Sequence, residues 1–317
     1  MSKKRILLCG ATGFIGRNLL NKYVDDSEYE VRAVWHTKLA LKQYDVEWVY
    51  ADLNNIDDVK RVMEGVDIVL QFAATTSGAN DIVNRPYIHV TDNAVMNSLL
   101  LREAFERHVE HFVFPSCTVM YQPKEDATSE EDFDGNRRLL DRYFGVGNTK
   151  VYLEKMCEFY AGLGRTRHTV MRHSNMYGPY DKYDLERSHV FGATVTKVMT
   201  NTDGTIVVWG TGEEERDLLH VDDLVNFVDL ALKNQENAYG LYNVGLGRGL
   251  PIIQLVKEII AQSGKDLQIE HDLSRPTIKT SLFLSCAKAK EEIGWEPTIP
   301  LKEGIKRTLQ WYKENIL

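Results

Sequence analysis

Cysteine is scarce and scattered: four residues in 317, Cys9, Cys117, Cys157 and Cys286, with no C-x-x-C pair and no metal-ligand spacing. That pattern argues against a disulfide framework and a structural metal site, and fits reduced thiols in a cytoplasmic protein. Long apolar runs are missing too. None approaches the roughly 18 residues of a membrane span, and the short apolar run in "MSKKRILLCG" cannot form a secretory signal core. Positive charge is in deficit, with 38 Lys and Arg against 46 Asp and Glu and a net charge of -8. The two signs are mixed along the chain, so neither a nucleic-acid footprint nor a polybasic membrane patch exists. A phosphate-bearing ligand must therefore be met by a local basic pocket. Internal repeats and low-complexity segments are absent as well.

What is present is a rhythm. Apolar runs "RILLCG", "YEVRAVWH", "VEWVYADL" and "VDIVLQFAA" alternate with helical periodicities such as "FIGRNLLNKYV" and "DDVKRVMEG". Continuous apolar strands between helices belong to a parallel sheet covered on both faces. The rhythm continues through a long helix over about 82–107, the strand "HFVFPS", a helix over about 147–163 and the strand "HTVMRH". The expected fold is an α/β doubly wound parallel sheet of the Rossmann type. After Arg172 the texture turns to "SNMYGPYDKYDLERSHV", a ligand-facing loop. Shorter elements follow, with helices expected at 221–233 and 251–262 and from 301. The expected domains are 1–175, with 221–245 returning to it, for the dinucleotide, and a smaller interleaved lobe of 176–220 and 246–317.

"ILLCGATGFIGRNLL" sets Gly10, Gly13 and Gly16 between a strand and a helix. Gly10 permits a tight turn, Gly13 admits the backbone to a pyrophosphate, and Gly16 lets helix and strand pack closely. The second strand ends "VWHTK", without the acid that would hold the adenosine ribose. His36 and Lys38 there suit a 2′-phosphate, which tilts the reading slightly to NADP and leaves NAD open. Asp52 and Leu53 are placed to touch adenine, the other reading of Asp52 being a helix N-cap.

With the glycine loop, "QFAAT" at 71–75, Lys150 followed by Glu154, "NMYGP" at 175–179 and "HVDD" at 220–223 in order, the chain resembles the extended short-chain dehydrogenase/reductases of the nucleotide-sugar epimerase and dehydratase group. Within that group it is most similar to GDP-sugar C4 reductases and dehydrogenases of the GDP-fucose synthase type. The resemblance implies a dinucleotide set of Gly10, Thr12, Gly13, Phe14, Ile15, Gly16, Phe72, Ala73, Ala74, Ser116, Lys150 and His173. It implies a GDP-sugar set of Asn175, His189, Val190, Lys197, Trp209, Arg216 and Lys279. The cations would neutralise the diphosphate, and the indole would pack on guanine or ribose. It also implies a homodimer or higher homo-oligomer built on the 82–107 helix and the Lys150 helix.

The family's catalytic set is a Ser or Thr, a Tyr, and a Lys four residues after that Tyr. Lys150 matches. Cys117 stands where Ser or Thr belongs, leaving Thr118 as the substitute hydroxyl, and Val146 stands where the proton donor belongs. A thiol donates hydrogen bonds weakly and valine not at all. Replacement donors are Tyr143, Tyr180, Tyr183 and His173, or Lys150 itself acting as a base. The expected activity is hydride transfer between NAD or NADP and C4 of a GDP-linked hexose, deoxyhexose or heptose. A 4-epimerase and a silent GDP-sugar binder are the alternatives.

Overall fold

The computed structural model describes residues 3–75, 85–122, 124–185, 188–274 and 282–317. The first part of the chain forms β1 (Lys4–Cys9), α1 (Phe14–Tyr23), β2 (Tyr29–Trp35), β3 (Glu47–Tyr50), α2 (Ile56–Val62), β4 (Ile68–Gln71), α3 (Thr91–Glu106), β5 (His111–Pro115), α4 (Phe144–Gly162) and β6 (Arg167–His173). There follow β7 (Asn175–Tyr177), α5 (Val190–Met199), β8 (Thr205–Trp209), β9 (Glu215–Arg216), β10 (Leu218–His220), α6 (Val221–Asn234) and β11 (Tyr239–Val244). The chain ends with β12 (Leu250–Pro251), α7 (Ile252–Ser263), β13 (Gln268–Asp272), α8 (Ala287–Ile293) and α9 (Leu301–Asn315).

Seven strands form one sheet in the order β11-β6-β5-β4-β1-β2-β3, and every neighbouring pair is parallel. The order reverses between β1 and β4, which opens a crevice beyond the carboxyl ends of those two strands. Alternation along β1 sends Ile6 and Leu8 to one face and Leu7 and Cys9 to the other, all fully buried. The first face packs on α1 and α6, and the second on α2, α3 and α4. That two-sided cover explains the unbroken apolar runs.

A separate core fills the smaller lobe, where Phe191 and Val195 of α5 meet Ile206 of β8, Leu255 of α7 and Ile305 of α9. Ala289, Ile293 and Trp295, however, lie in the first core of the sheet. Trp295 Nε1 donates to the Asp223 carbonyl at 2.9 Å, anchoring this stretch to α6 rather than to the lobe around it.

The helix expected over 82–107 is shorter. A 3₁₀ turn, Pro86–His89, precedes α3, and Arg85 before the proline has φ -139°, outside the helical region. Proline removes a donor and restricts its predecessor. Residues 82–84 lie outside the described residues. Conversely α4 begins three residues before its expected start, through a 3₁₀ turn at Asp141–Tyr143. Among the described residues no helix is long and apolar enough to cross a membrane.

Two buried histidines make the sheet acid-sensitive. Burial holds His111 down at about 3 and His168 at about 4, against an ordinary value of 6.5. Below pH 6.5 the unfolded chain binds these protons and the folded chain does not, so stability is full above 6.5 and falls as pH drops towards 4. The loss is about 1.4 kcal/mol per histidine for each pH unit. Calorimetry at pH 7 and 5.5 should show the fall, and His168→Leu should flatten it.

Candidate functional site

Glycine geometry shapes the turn between β1 and α1. Gly10 has φ +76°, and a Cβ there would lie 2.5 Å from the Phe72 carbonyl oxygen. A Cβ on Gly16 would lie 2.0 Å from the Gly10 carbonyl oxygen, so both positions close only with glycine. Gly13 is the N-cap of α1, contributes no side-chain cap, and is followed by no acid in the first turn. The first amides of α1 are left for an anion at the positive end of the helix dipole. Thr12, Phe14 and Ile15 are half-buried around this turn. The cradle fits the pyrophosphate of a dinucleotide.

Across the crevice Phe72, Ala73 and Ala74 leave β4, pinned by amides that sequence reading passed over. The Ala73 amide donates to Gln71 Oε1 at 3.3 Å, and Gln71 Nε2 donates to Asn97 Oδ1 at 3.0 Å. Asn93 brackets Thr75, accepting from its amide and donating to its carbonyl, each at 3.0 Å. Asn93 and Asn97 are buried and four residues apart on α3, and polar residues at helical spacing on a core face were the available signal.

Just past the end of β2, His36 and Lys38 are exposed, with the His36 ring 5.7 Å from that of Tyr50. Asp52 does not cap α2: Asn55 does, accepting from the amides of Asp57 and Asp58. The Asp52 carboxylate instead accepts from the Asn54 amide at 3.0 Å. Leu53 is buried in the second core, so its side chain is not presented to an adenine.

Lys150 reaches from α4 to the end of β5. Its Nζ donates to the Pro115 carbonyl at 2.7 Å and lies 4.6 Å from the Phe114 ring centroid. Burial lowers its pKa, while Cys117 and Glu154 oppose that shift. Burial in turn pushes the Cys117 thiol up, with Lys150 opposing, so a neutral thiol accompanies the lysine. His173 ends β6 with Nδ1 donating to the Ser174 carbonyl at 2.8 Å. Burial holds it down at about 4, leaving it neutral at pH 7.

Ser116 was expected at the cofactor. It is 1% exposed, and its hydroxyl donates to Glu154 Oε1 at 2.5 Å. The reason is a buried network in which Arg172 binds both Glu154 oxygens, at 3.1 and 2.7 Å, and donates to the Tyr121 hydroxyl at 2.8 Å. The Tyr121 hydroxyl in turn donates to Asn243 Oδ1 at 2.7 Å. An arginine inside the apolar strand "HTVMRH" was its sequence signal.

A cavity of about 180 Å³ gathers Thr118, Val119, Tyr143, Asn175 and Arg216 from separate segments. Arg216 Nη1 donates to the Glu215 carbonyl at 2.7 Å. The buried Asp217 beside it accepts from the amides of Leu246, Gly247 and Leu284 at 2.7, 3.2 and 3.1 Å, tying two distant segments of chain to the cavity wall. His189 is the exposed N-cap of α5, with Val190 half-buried after it. Lys197 Nζ stands 5.8 Å from the ring of Trp209, which is 53% exposed, outside that cavity's lining. Lys279 lies outside the described residues.

Residues 6–245 match the profile described as the NAD dependent epimerase/dehydratase family. The chain belongs to that family. GDP-L-fucose synthase of Escherichia coli (strain K12) is 27% identical, over 99% of this chain and 98% of its own. The dTDP-4-dehydro-6-deoxy-D-allose reductase of a Streptomyces sp is 28% identical, over 98% and 96%. The solved UDP-glucose 4-epimerase of Thermotoga maritima superposes with a TM-score of 0.86 at 25% identity, covering 99% of this chain and 100% of the other.

Within this epimerase/dehydratase fold, two of the tyrosines considered as replacement donors are committed elsewhere. Tyr183 donates its hydroxyl to the Gly178 carbonyl at 2.8 Å and packs edge-on against Tyr312 in the lobe core. Tyr180, at φ +70°, stacks under the Arg17 guanidinium at 4.0 Å and meets Trp311. The loop expected to lie over the sugar instead clasps α1 to α9. Tyr183 is therefore corrected from a catalytic to a packing residue.

Proposed function

We propose that the protein is a nucleotide-sugar oxidoreductase, moving a hydride between a nicotinamide dinucleotide and C4 of a GDP-linked hexose, deoxyhexose or heptose. The observation that carries this reading is the single cavity joining Thr118, at the end of β5 next to Lys150's anchor, to Asn175 and Arg216. Relatives named as GDP- and dTDP-sugar synthases and reductases support it. A bound dinucleotide would supply or accept the hydride. Gly10, Gly13 and Gly16 would seat its pyrophosphate, and exposed His36 and Lys38 favour the 2′-phosphate form. Thr118 orients the sugar oxygen, and the Lys150 ammonium stabilises negative charge on it. Arg216 binds the diphosphate, and the Lys197–Trp209 pair receives the base.

Calorimetric titration tests the nucleotide. GDP should bind more tightly than UDP or dTDP, and Arg216→Ala should weaken GDP by about 1–3 kcal/mol. Equal affinity for UDP would contradict the guanine reading.

The same reading includes a homodimer through the outer face of α3 and α4, where Val95, Tyr152 and Phe159 are exposed. Apolar side chains on neighbouring helices suit a second copy. Light scattering at micromolar concentration should give twice the chain mass, and a monomer would remove the proposal.

A further inference from the structure

Valine at 146 leaves the proposed reaction without its usual proton donor, and the cavity itself contains a candidate. Two tyrosines line it, Tyr121 and Tyr143. The Tyr121 hydroxyl is held between Arg172 and Asn243, at 2.8 and 2.7 Å, and is 3% exposed as a residue. Tyr143 is half-buried, and its hydroxyl makes no hydrogen bond to a described residue. Its backbone is fixed: the amide donates to the Leu140 carbonyl at 2.8 Å, and the residue closes the 3₁₀ turn that leads into α4.

Tyr143, Val146 and Lys150 are spaced i, i+3, i+7, which places them along one face at the start of α4. Tyr143 is the N-cap of α4, three residues before the valine, a backbone rise of about 4.5 Å. Tyr143 lines the same cavity as Thr118 and Asn175. Tyr152, farther along the helix, shares a 3.1 Å hydrogen bond with Ser98 on the outer face.

We infer that Tyr143 is the catalytic acid of this site, delivering the proton to the sugar oxygen in place of a residue at 146. The assignment rests on the oxidoreductase reading above. In the reducing direction the C4 carbonyl carbon gains a hydride from reduced dinucleotide. The C–O π pair takes the phenolic proton of Tyr143, and the phenolate regains a proton from solvent through the open cavity. The sugar ketone is reduced to an alcohol and the dinucleotide is oxidised; the oxidising direction runs the same proton path backwards.

The test is single-turnover absorbance of the dinucleotide bound to the full chain, after mixing with GDP-linked sugars and their 4-keto forms. Tyr143→Phe keeps the ring and removes only the proton. The expected result is a hydride-transfer rate about 10²- to 10⁴-fold lower, with GDP-sugar affinity by calorimetry unchanged and the wild-type pH dependence of the rate abolished. A variant as fast as wild type would overturn the assignment, as would one whose loss appears in affinity alone, which marks a positioning role. If the wild type itself leaves the dinucleotide's redox state unchanged with every sugar it binds, the oxidoreductase reading fails, and this assignment falls with it.

Discussion

Glu154→Ala is expected to cost about 3–5 kcal/mol of stability. Glu154 and Arg172 are each buried, 3% and 2% exposed, and bonded at both carboxylate oxygens. Truncating the acid leaves a guanidinium without its counter-charge inside the protein and deprives the Ser116 hydroxyl of its acceptor. Removing both charges is a different perturbation, because a buried ion pair spends much of its attraction on the desolvation of its members. The double variant Glu154→Met with Arg172→Met should recover most of the loss. Urea unfolding followed by circular dichroism measures both. A single-variant loss below about 1 kcal/mol, the range of a solvated surface pair, would show that water reaches the network.

Lys150→Met should slow hydride transfer about 10²- to 10³-fold, the usual consequence of removing one donor from a site that stabilises developing charge. Methionine approximates the stem of the lysine but removes the ammonium, and with it both the bond to Pro115 and the cation–π contact with the Phe114 ring. Stopped-flow absorbance of bound dinucleotide reads the rate. GDP affinity should be unchanged, since the lysine's ammonium lies at the end of β5 and not among the residues around Arg216. An undiminished rate would remove Lys150 from the chemistry.

Much of this molecule was legible because its requirements are local. The glycine turn, the two-sided strands and the helix at 221–234 each follow from steric or periodic rules carried by adjacent residues. The family's motif spacing likewise brought Thr118, Asn175 and Arg216 to attention before the cavity that unites them. What sequence reading missed depends on partners distant in the chain. Ser116 faces inward because Glu154 and Arg172, from a helix and another strand, meet behind it. Tyr183 is pulled from the sugar side by aromatic neighbours in α9, more than a hundred residues later. Trp295 returns to the sheet through one carbonyl on α6. Such choices are decided by which face a side chain finds already filled.

The bare N-terminus of α1 has a consequence for the life of the polypeptide in a cell. A helix that begins without a capping side chain has its cap supplied by whatever anion binds there, and a ligand held at about 100 times its Kd adds about 2.7 kcal/mol to the folded state. Under the proposed function, a bound dinucleotide would then be as much a part of the protein's durability as of its chemistry. Chains that emerge during a shortage of it would be the ones that chaperones hold and proteases clear, coupling the abundance of the protein to the supply of its own redox currency.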